Sequence, residues 1–222
     1  MSLLSSESVS EITRILRLTY PVSRTALEFS NPLQILVATI LSAQCTDKKV
    51  NEITPGLFAK YPTVQAFADA NPAVLEQQIR PTGFYRNKTK SIIGAARKIV
   101  FDYAGRVPDS MDELITLPGV ARKTANIVLS SGFHKAEGIA VDTHVKRIAG
   151  RLGLSREKDP DRIERDLLKI IPREDWMDYN YLLVNHGRAL CPARKPQCGL
   201  CPLSHLCPSA AEFDPHPQKS RR

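Results

Sequence analysis

No sustained alternation of apolar and polar residues, with the period of two that half-buried strands require, runs through this chain. Apolar residues recur instead at helical spacing between proline and glycine breaks, so the chain is expected to be all-α. Ile12, Ile15, Leu16 and Thr19 predict a first helix that Pro21 stops, preceded by a start, residues 1–10, that is expected to be loose. Asn31-Pro32 sets a capping residue before a proline at the first helical position. It opens a nearly all-apolar helix to about Ser42 that has to be buried on most sides. Helical patterns continue over 47–60, 63–70 and 73–80. A longer one over 86–103 puts Ile92, Ile93, Ala96, Ile99 and Val100 on one side. Asp159-Pro160 repeats the cap-and-proline signature before Ile163, Leu167, Leu168 and Ile171, and a last helix runs from about Glu174 to Leu190.

The most distinctive stretch lies between Leu117 and Lys146. Ser110 and Glu113 have capping-box spacing and predict one helix, which Pro118-Gly119 ends. A second begins near Arg122, carries Ala125, Val128 and Leu129 on one face, and stops at Gly132. The turn between them is expected to aim the backbone N–H groups of Gly119, Val120 and Ala121 outward at a helix N-terminus, beside Arg122 and Lys123. Such an arrangement suits phosphate. A Pro-Gly turn is also common punctuation, and on its own it says no more than a helical hairpin.

The charge balance fits a polyanionic partner. The chain of 222 residues has 31 Lys and Arg against 23 Asp and Glu, a net charge of +8. The longest apolar run, Leu33 to Leu41, is too short to span a membrane, and the serine-rich start lacks the basic and apolar regions of a secretory signal. An intracellular protein without disulfides is therefore expected. Within it, Cys45 stands alone and reads as a packing thiol. The other four cysteines, Cys191, Cys198, Cys201 and Cys207, have the spacing C-x6-C-x2-C-x5-C in a segment rich in proline and glycine. That segment needs an internal staple. Two disulfides, a four-thiolate zinc site and a four-thiolate iron–sulfur cluster all remain open on spacing alone.

Two loops add residues that composition leaves ambiguous. Ser42-Ala43-Gln44-Cys45-Thr46-Asp47 places polar groups where a core segment would not have them, and Thr46 or Asp47 can cap the next helix. Phe84-Tyr85 follows the break Pro81-Thr82-Gly83 beside Arg86 and Lys88, which suits either a staple at a helix N-terminus or a wedge into a base stack.

Taken together, Leu117-Pro118-Gly119-Val120, Arg122-Lys123-Thr124-Ala125-Asn126 and Val141-Asp142-Thr143-His144 strongly resemble the helix-hairpin-helix signature of the endonuclease III family of DNA glycosylases. The cysteine spacing resembles that family's [4Fe–4S] signature. One departure is Ala121, where the family usually has a second glycine. Because alanine does not readily take a positive φ, the turn is expected to stay in right-handed space there. The resemblance runs from about Asn31 to Cys207. It implies a helix-hairpin-helix glycosylase fold of two helical domains. Residues 24–136 would form a six-helix domain, and residues 1–23 with 137–222 the cluster domain, with DNA in the cleft between them. It also implies removal of oxidised pyrimidines from duplex DNA, with strand cleavage at the abasic site. Gln44 would fill the gap left by an extruded base and Phe84 would be the wedge. Arg194 and Lys195, at the tip of the cysteine loop, would meet the phosphate backbone, as would the hairpin. His144 either positions phosphate or satisfies a local hydrogen bond.

The chemistry asks for a nucleophile at the sugar C1′ and for stabilisation of the positive charge that develops on the sugar. Lys123 can attack once its amine is neutral, and a helix N-terminus, Arg122 and partial burial would all disfavour the ammonium. Asp142 can cap the helix that follows it and still assist proton transfer. The resemblance assigns lysine and aspartate these roles. The expected protein is a monomer in the bacterial cytoplasm, associated with the nucleoid through DNA. Two other readings compete. One is a related adenine or thymine-mismatch glycosylase, although those branches commonly lack the lysine. The adenine type also usually carries a further C-terminal domain, and only fifteen residues follow Cys207. The other is a non-catalytic hairpin module with a redox cluster.

Overall fold

The structure is a computed structural model and describes residues 4–213. Among them there are helices and no strands. The helices are α1 (Ser6–Thr19), α2 (Pro32–Ser42), α3 (Asp47–Lys60), α4 (Val64–Ala68), α5 (Pro72–Ile79), α6 (Tyr85–Asp102), α7 (Met111–Leu114), α8 (Arg122–Ile127), α9 (Thr143–Leu152), α10 (Pro160–Ile170), α11 (Trp176–Ala189) and α12 (Ala210–Phe213). They fall into two compact units, Thr25–Glu137 and the pair of segments Met1–Arg24 and Gly138–Arg222.

The unit Thr25–Glu137 is built around α2. Asn31 caps this helix by accepting from the Gln34 N–H at 3.0 Å, and Pro32 occupies its first position. Ile35, Leu36, Val37, Ala38 and Leu41 are all essentially inaccessible, so apolar partners cover α2 on nearly every side. Those partners are α3, α6, α8 and the π-helical turn Val128–Gly132 that continues α8. Each leucine or isoleucine buried there contributes about 1.5–3 kcal/mol. Gly132 packs closely on α2: a Cβ there would lie 2.9 Å from the Ile35 side chain.

The other unit joins the two ends of the chain. Helix α1 packs on α11, and α11 packs on α9. Arg17 holds the first contact with a fork to Asp175 (2.7 Å) and Asp178 (2.9 Å). The start of the chain is not loose up to residue 10. Helix α1 begins at Ser6, with the Ser5 hydroxyl accepting from the Ser8 N–H at 3.3 Å. Val9, at 2% exposure, supplies the reason, since it packs with Ile12 and Leu16 against Tyr179 and Leu183. Residues 1–3 of that expected loose stretch lie outside the described residues.

Candidate functional site

The hairpin is more compact than its sequence suggests. Its first helix, α7, is a single turn, and Ser110 and Glu113 do not form a capping box. The Ser110 hydroxyl instead donates to the Glu113 carboxylate at 2.7 Å, and the Met111 N–H donates to Glu137 at 2.9 Å. Leu117 and Val120 are buried, and the exposed Pro118-Gly119 tip lies between them. Helix α6 seats that tip. A Cβ on Gly94 would touch the Pro118 ring at 3.2 Å, and one on Gly119 would lie 2.5 Å from the Ser91 Cβ. Gly119 also has φ +78°, which only glycine adopts readily. The left-handed residue of the turn is therefore Gly119, while Ala121 keeps a negative φ of −89° but is extended, at the N-cap of α8.

Two expectations about this turn need correcting. The Val120 N–H does not point outward, because it donates to the Leu117 carbonyl at 3.1 Å and closes the turn. Gly119 and Ala121 are the exposed members of the trio. Lys123 is exposed rather than partly buried, because the buried face of α8 is carried by Ala125 and Asn126. Arg122 precedes it on the same first turn.

Gln44 and Phe84 lie in the same unit and share an uncommon backbone state. Both are exposed and both are left-handed, at φ 53° and 47°. A non-glycine residue held there costs about 1–3 kcal/mol and persists only where its surroundings over-determine it. Thr46 caps α3 by accepting from the Lys49 N–H, so that cap is real as well. Phe84 stands at the N-cap of α6 and is 61% exposed, whereas Tyr85 packs against the core. The aromatic pair thus divides its roles: Tyr85 is the packing residue and Phe84 is free for a partner. Cys45 is packed against the same core, as expected for a structural thiol.

In the other unit, Asp142 is the N-cap of α9. One of its carboxylate oxygens accepts from the N–H groups of His144 and Val145, each at 2.8 Å. The second oxygen faces His144 Nδ1 at 3.3 Å. The carboxylate is half-buried, so the cap leaves it open on one side. His144 makes the local contact that its bland reading required.

All five cysteines are free thiols, which removes the disulfide reading. The four C-terminal cysteines instead line one cavity, together with Arg151 and His186. Burial first, and then the charges of Cys191, Cys207 and Cys198, push the Cys201 thiol up to about 11. Four cysteines lining one shared cavity suit a polynuclear core of the [4Fe–4S] kind, which takes four thiolates.

The frame of the cysteine loop depends on residues that the sequence did not single out. Arg151 donates to Cys191 Sγ (3.1 Å) and to the carbonyls of Pro192 (2.8 Å) and Ala193 (2.9 Å). One helical turn earlier, Arg147 holds the carbonyls of Cys191 and Gly187. The only sequence sign was a pair of arginines four apart on the helix that Asp142 opens. His186 is buried and kept neutral by that burial, its acidity near 4. Its ring lies between the Tyr20 hydroxyl (3.2 Å) and Cys201 Sγ (3.6 Å). Arg194 and Lys195 are exposed beyond this frame, with Lys195 left-handed at φ 53°.

Residues 37–173 match the family described as HhH-GPD superfamily base excision DNA repair protein. Residues 191–207 match the iron–sulfur binding domain of endonuclease III. The chain is 54% identical over 204 residues to endonuclease III of Synechocystis sp., covering 92% of this chain and 93% of that one. A non-covalent endonuclease III–DNA complex superposes with a TM-score of 0.89 at 40% identity, covering 95% of this chain and 98% of that chain. A trapped covalent endonuclease III–DNA intermediate does so with the same score and identity, covering 95% and 99%.

Proposed function

Because this chain belongs to the endonuclease III family of HhH-GPD base excision repair proteins, we propose Lys123 as the residue through which it works. The protein is a DNA glycosylase and abasic-site lyase of base excision repair, and it carries a [4Fe–4S] cluster. Its substrates are oxidised pyrimidines in duplex DNA, and it acts as a monomer in the cytoplasm, at the nucleoid.

In this reading the Lys123 Nζ lone pair attacks the sugar C1′ of an extruded nucleotide. The C1′–N bond breaks, and its electron pair leaves with the base, which takes up a proton. Loss of the Nζ proton and opening of the sugar ring give an imine. Removal of a C2′ proton then expels the 3′ phosphate, and water releases the lysine. Asp142 assists proton transfer and offsets the positive charge on the sugar. Gln44 fills the vacated stack and Phe84 wedges the opposite side. Gly119, Val120, Ala121, Arg122, His144, Arg194 and Lys195 form the backbone-contacting set, in which Val120 contributes turn geometry rather than a free N–H. Cys191, Cys198, Cys201 and Cys207 hold the cluster, whose bound core supplies the cross-link that a segment poor in apolar packing lacks.

The observation that carries this reading is an exposed lysine on the first turn after the hairpin, in a chain similar to one trapped covalently on DNA. Borohydride reduces an imine to a stable amine. Wild-type protein on damaged duplex should therefore give a covalent band and a cleaved strand. Lys123→Ala should lose both while keeping most of its DNA affinity. A trapped band from Lys123→Ala at the wild-type rate would place the nucleophile elsewhere.

A further inference from the structure

One fully buried cation in the unit Thr25–Glu137 lies apart from the hairpin chemistry. Lys88, on the first turns of α6, is only 4% exposed. Its ammonium donates to the Leu41 carbonyl and to the Thr82 carbonyl, each at 2.8 Å. Leu41 is in the last turn of α2, where carbonyls have no helical partner, and Gln44 follows three residues later. Thr82 ends the short turn Arg80–Thr82, and Phe84 follows two residues later. Burial draws the Lys88 ammonium down from its ordinary range, so the site holds a charge that its surroundings resist. A buried cation persists where it is hydrogen-bonded, and here its two acceptors stand just ahead of left-handed Gln44 and Phe84, at the ends of the helical turns that lead into them.

We propose that Lys88 is a positioning residue that clamps the Gln44 and Phe84 loops at one spacing, so that the two exposed side chains enter damaged duplex as a single probe. The clamp reaches both loops from behind. A carbonyl displaced from Nζ would let its loop relax out of the left-handed state, and the distance between the two tips would no longer be set. The proposal rests on the reading that Gln44 and Phe84 enter DNA, and the experiment separates the two ideas.

The first arm needs no DNA. Lys88→Met keeps the length and packing of the side chain and removes the donors. Hydrogen exchange of the whole protein should speed up by about tenfold at residues 42–45 and 82–85, the loss of a charged hydrogen-bond donor, and change little in α11. Unchanged exchange at both loops overturns the clamp. If Lys88→Met does not fold, Lys88→Arg, which keeps the donors on a bulkier group, takes its place and should disturb the two loops together.

The second arm measures affinity for damaged against undamaged duplex at fixed salt. Lys88→Met should reduce the ratio by about tenfold in the wild-type background and by less than about twofold when Gln44 and Phe84 are both alanine, because residues acting as one unit are not additive. Equal loss in both backgrounds would make Lys88 a general structural residue and overturn its positioning role. If the double alanine variant alone leaves the ratio unchanged, the reading of the two tips fails, and with it the use proposed for the clamp, whatever the exchange data show.

Discussion

The hairpin tip at 117–122 and the cysteine loop at 190–207 are both short, irregular segments carrying basic side chains, yet they are held by opposite means. The tip is held by packing: Leu117 and Val120 are buried, Pro118 rests on Gly94, and Gly119 leaves no space above Ser91. The cysteine loop places one apolar side chain fully in a core, Leu203. Its frame is a set of polar ties from Arg147 and Arg151 to backbone carbonyls, plus four thiols around a cavity. Packing needs no ligand, so the tip should keep its shape whether or not iron is bound. The four thiols make no bond to one another, so the loop needs the metal core as its cross-link.

The largest expected effect comes from taking that core away. Cys198→Ser, or chelation of iron from the wild type, should remove the yellow-brown colour. It should also expose residues 190–213 to rapid hydrogen exchange, while protection at 114–129 changes far less. Equal loss of protection in both segments would mean that the two are not independently held. A colourless, zinc-loaded protein with full activity would refute the iron assignment.

Breaking the packed tip should have a smaller effect. Gly119→Ala adds both a strained φ and an overlap with Ser91, and should destabilise the protein by about 2–4 kcal/mol, within the range for combined strain and overpacking. Adding Ser91→Gly should recover part of that loss, because it removes the overlap and not the strain. Thermal unfolding of the single and double variants measures both contributions. A full recovery would assign the whole cost to the collision, and no recovery would assign it to φ.

The smallest effect sharpens the functional side of the comparison. If about five phosphates are neutralised, the log–log salt slope of DNA binding should be about −4 to −5. Arg194→Ala should make the slope shallower by about one unit, since its side chain is exposed beyond the loop frame. Arg151→Ala should weaken binding differently, by loosening the loop itself, and so should raise exchange at 191–194. If Arg194→Ala leaves the slope unchanged, the cysteine loop is not part of the DNA face.

Much of this was legible along the chain because it is local chemistry. Asn31, Thr46 and Asp159 cap the helices that their spacing announced, since a cap needs only its own oxygen and an N–H two or three residues on. Asp142 caps in the same way, and the lysine and the four cysteines stand in a recognisable order. Spacing misled where a neighbouring group took a different partner. Ser110 and Glu113 had capping-box spacing, but the Ser110 hydroxyl donates to the Glu113 carboxylate instead of accepting from its N–H. Val120 had the place of a free donor, but the turn used its N–H.

The sequence by itself determined the all-helical class and the caps, because each depends on residue type and short spacing; the candidate nucleophile and the four candidate cluster ligands came from the resemblance of their motifs to a known family. Only the tertiary structure decided that Ser91 and Gly94 seat the hairpin, that Lys88 reaches carbonyls 47 and 6 residues away, and that Arg151 shapes a loop some 40 residues later. A lysine or arginine side chain carries no sign of which backbone carbonyl it will meet. That choice is made when burial brings distant orphan acceptors within reach, and the cost of leaving them unpaired then fixes the partner.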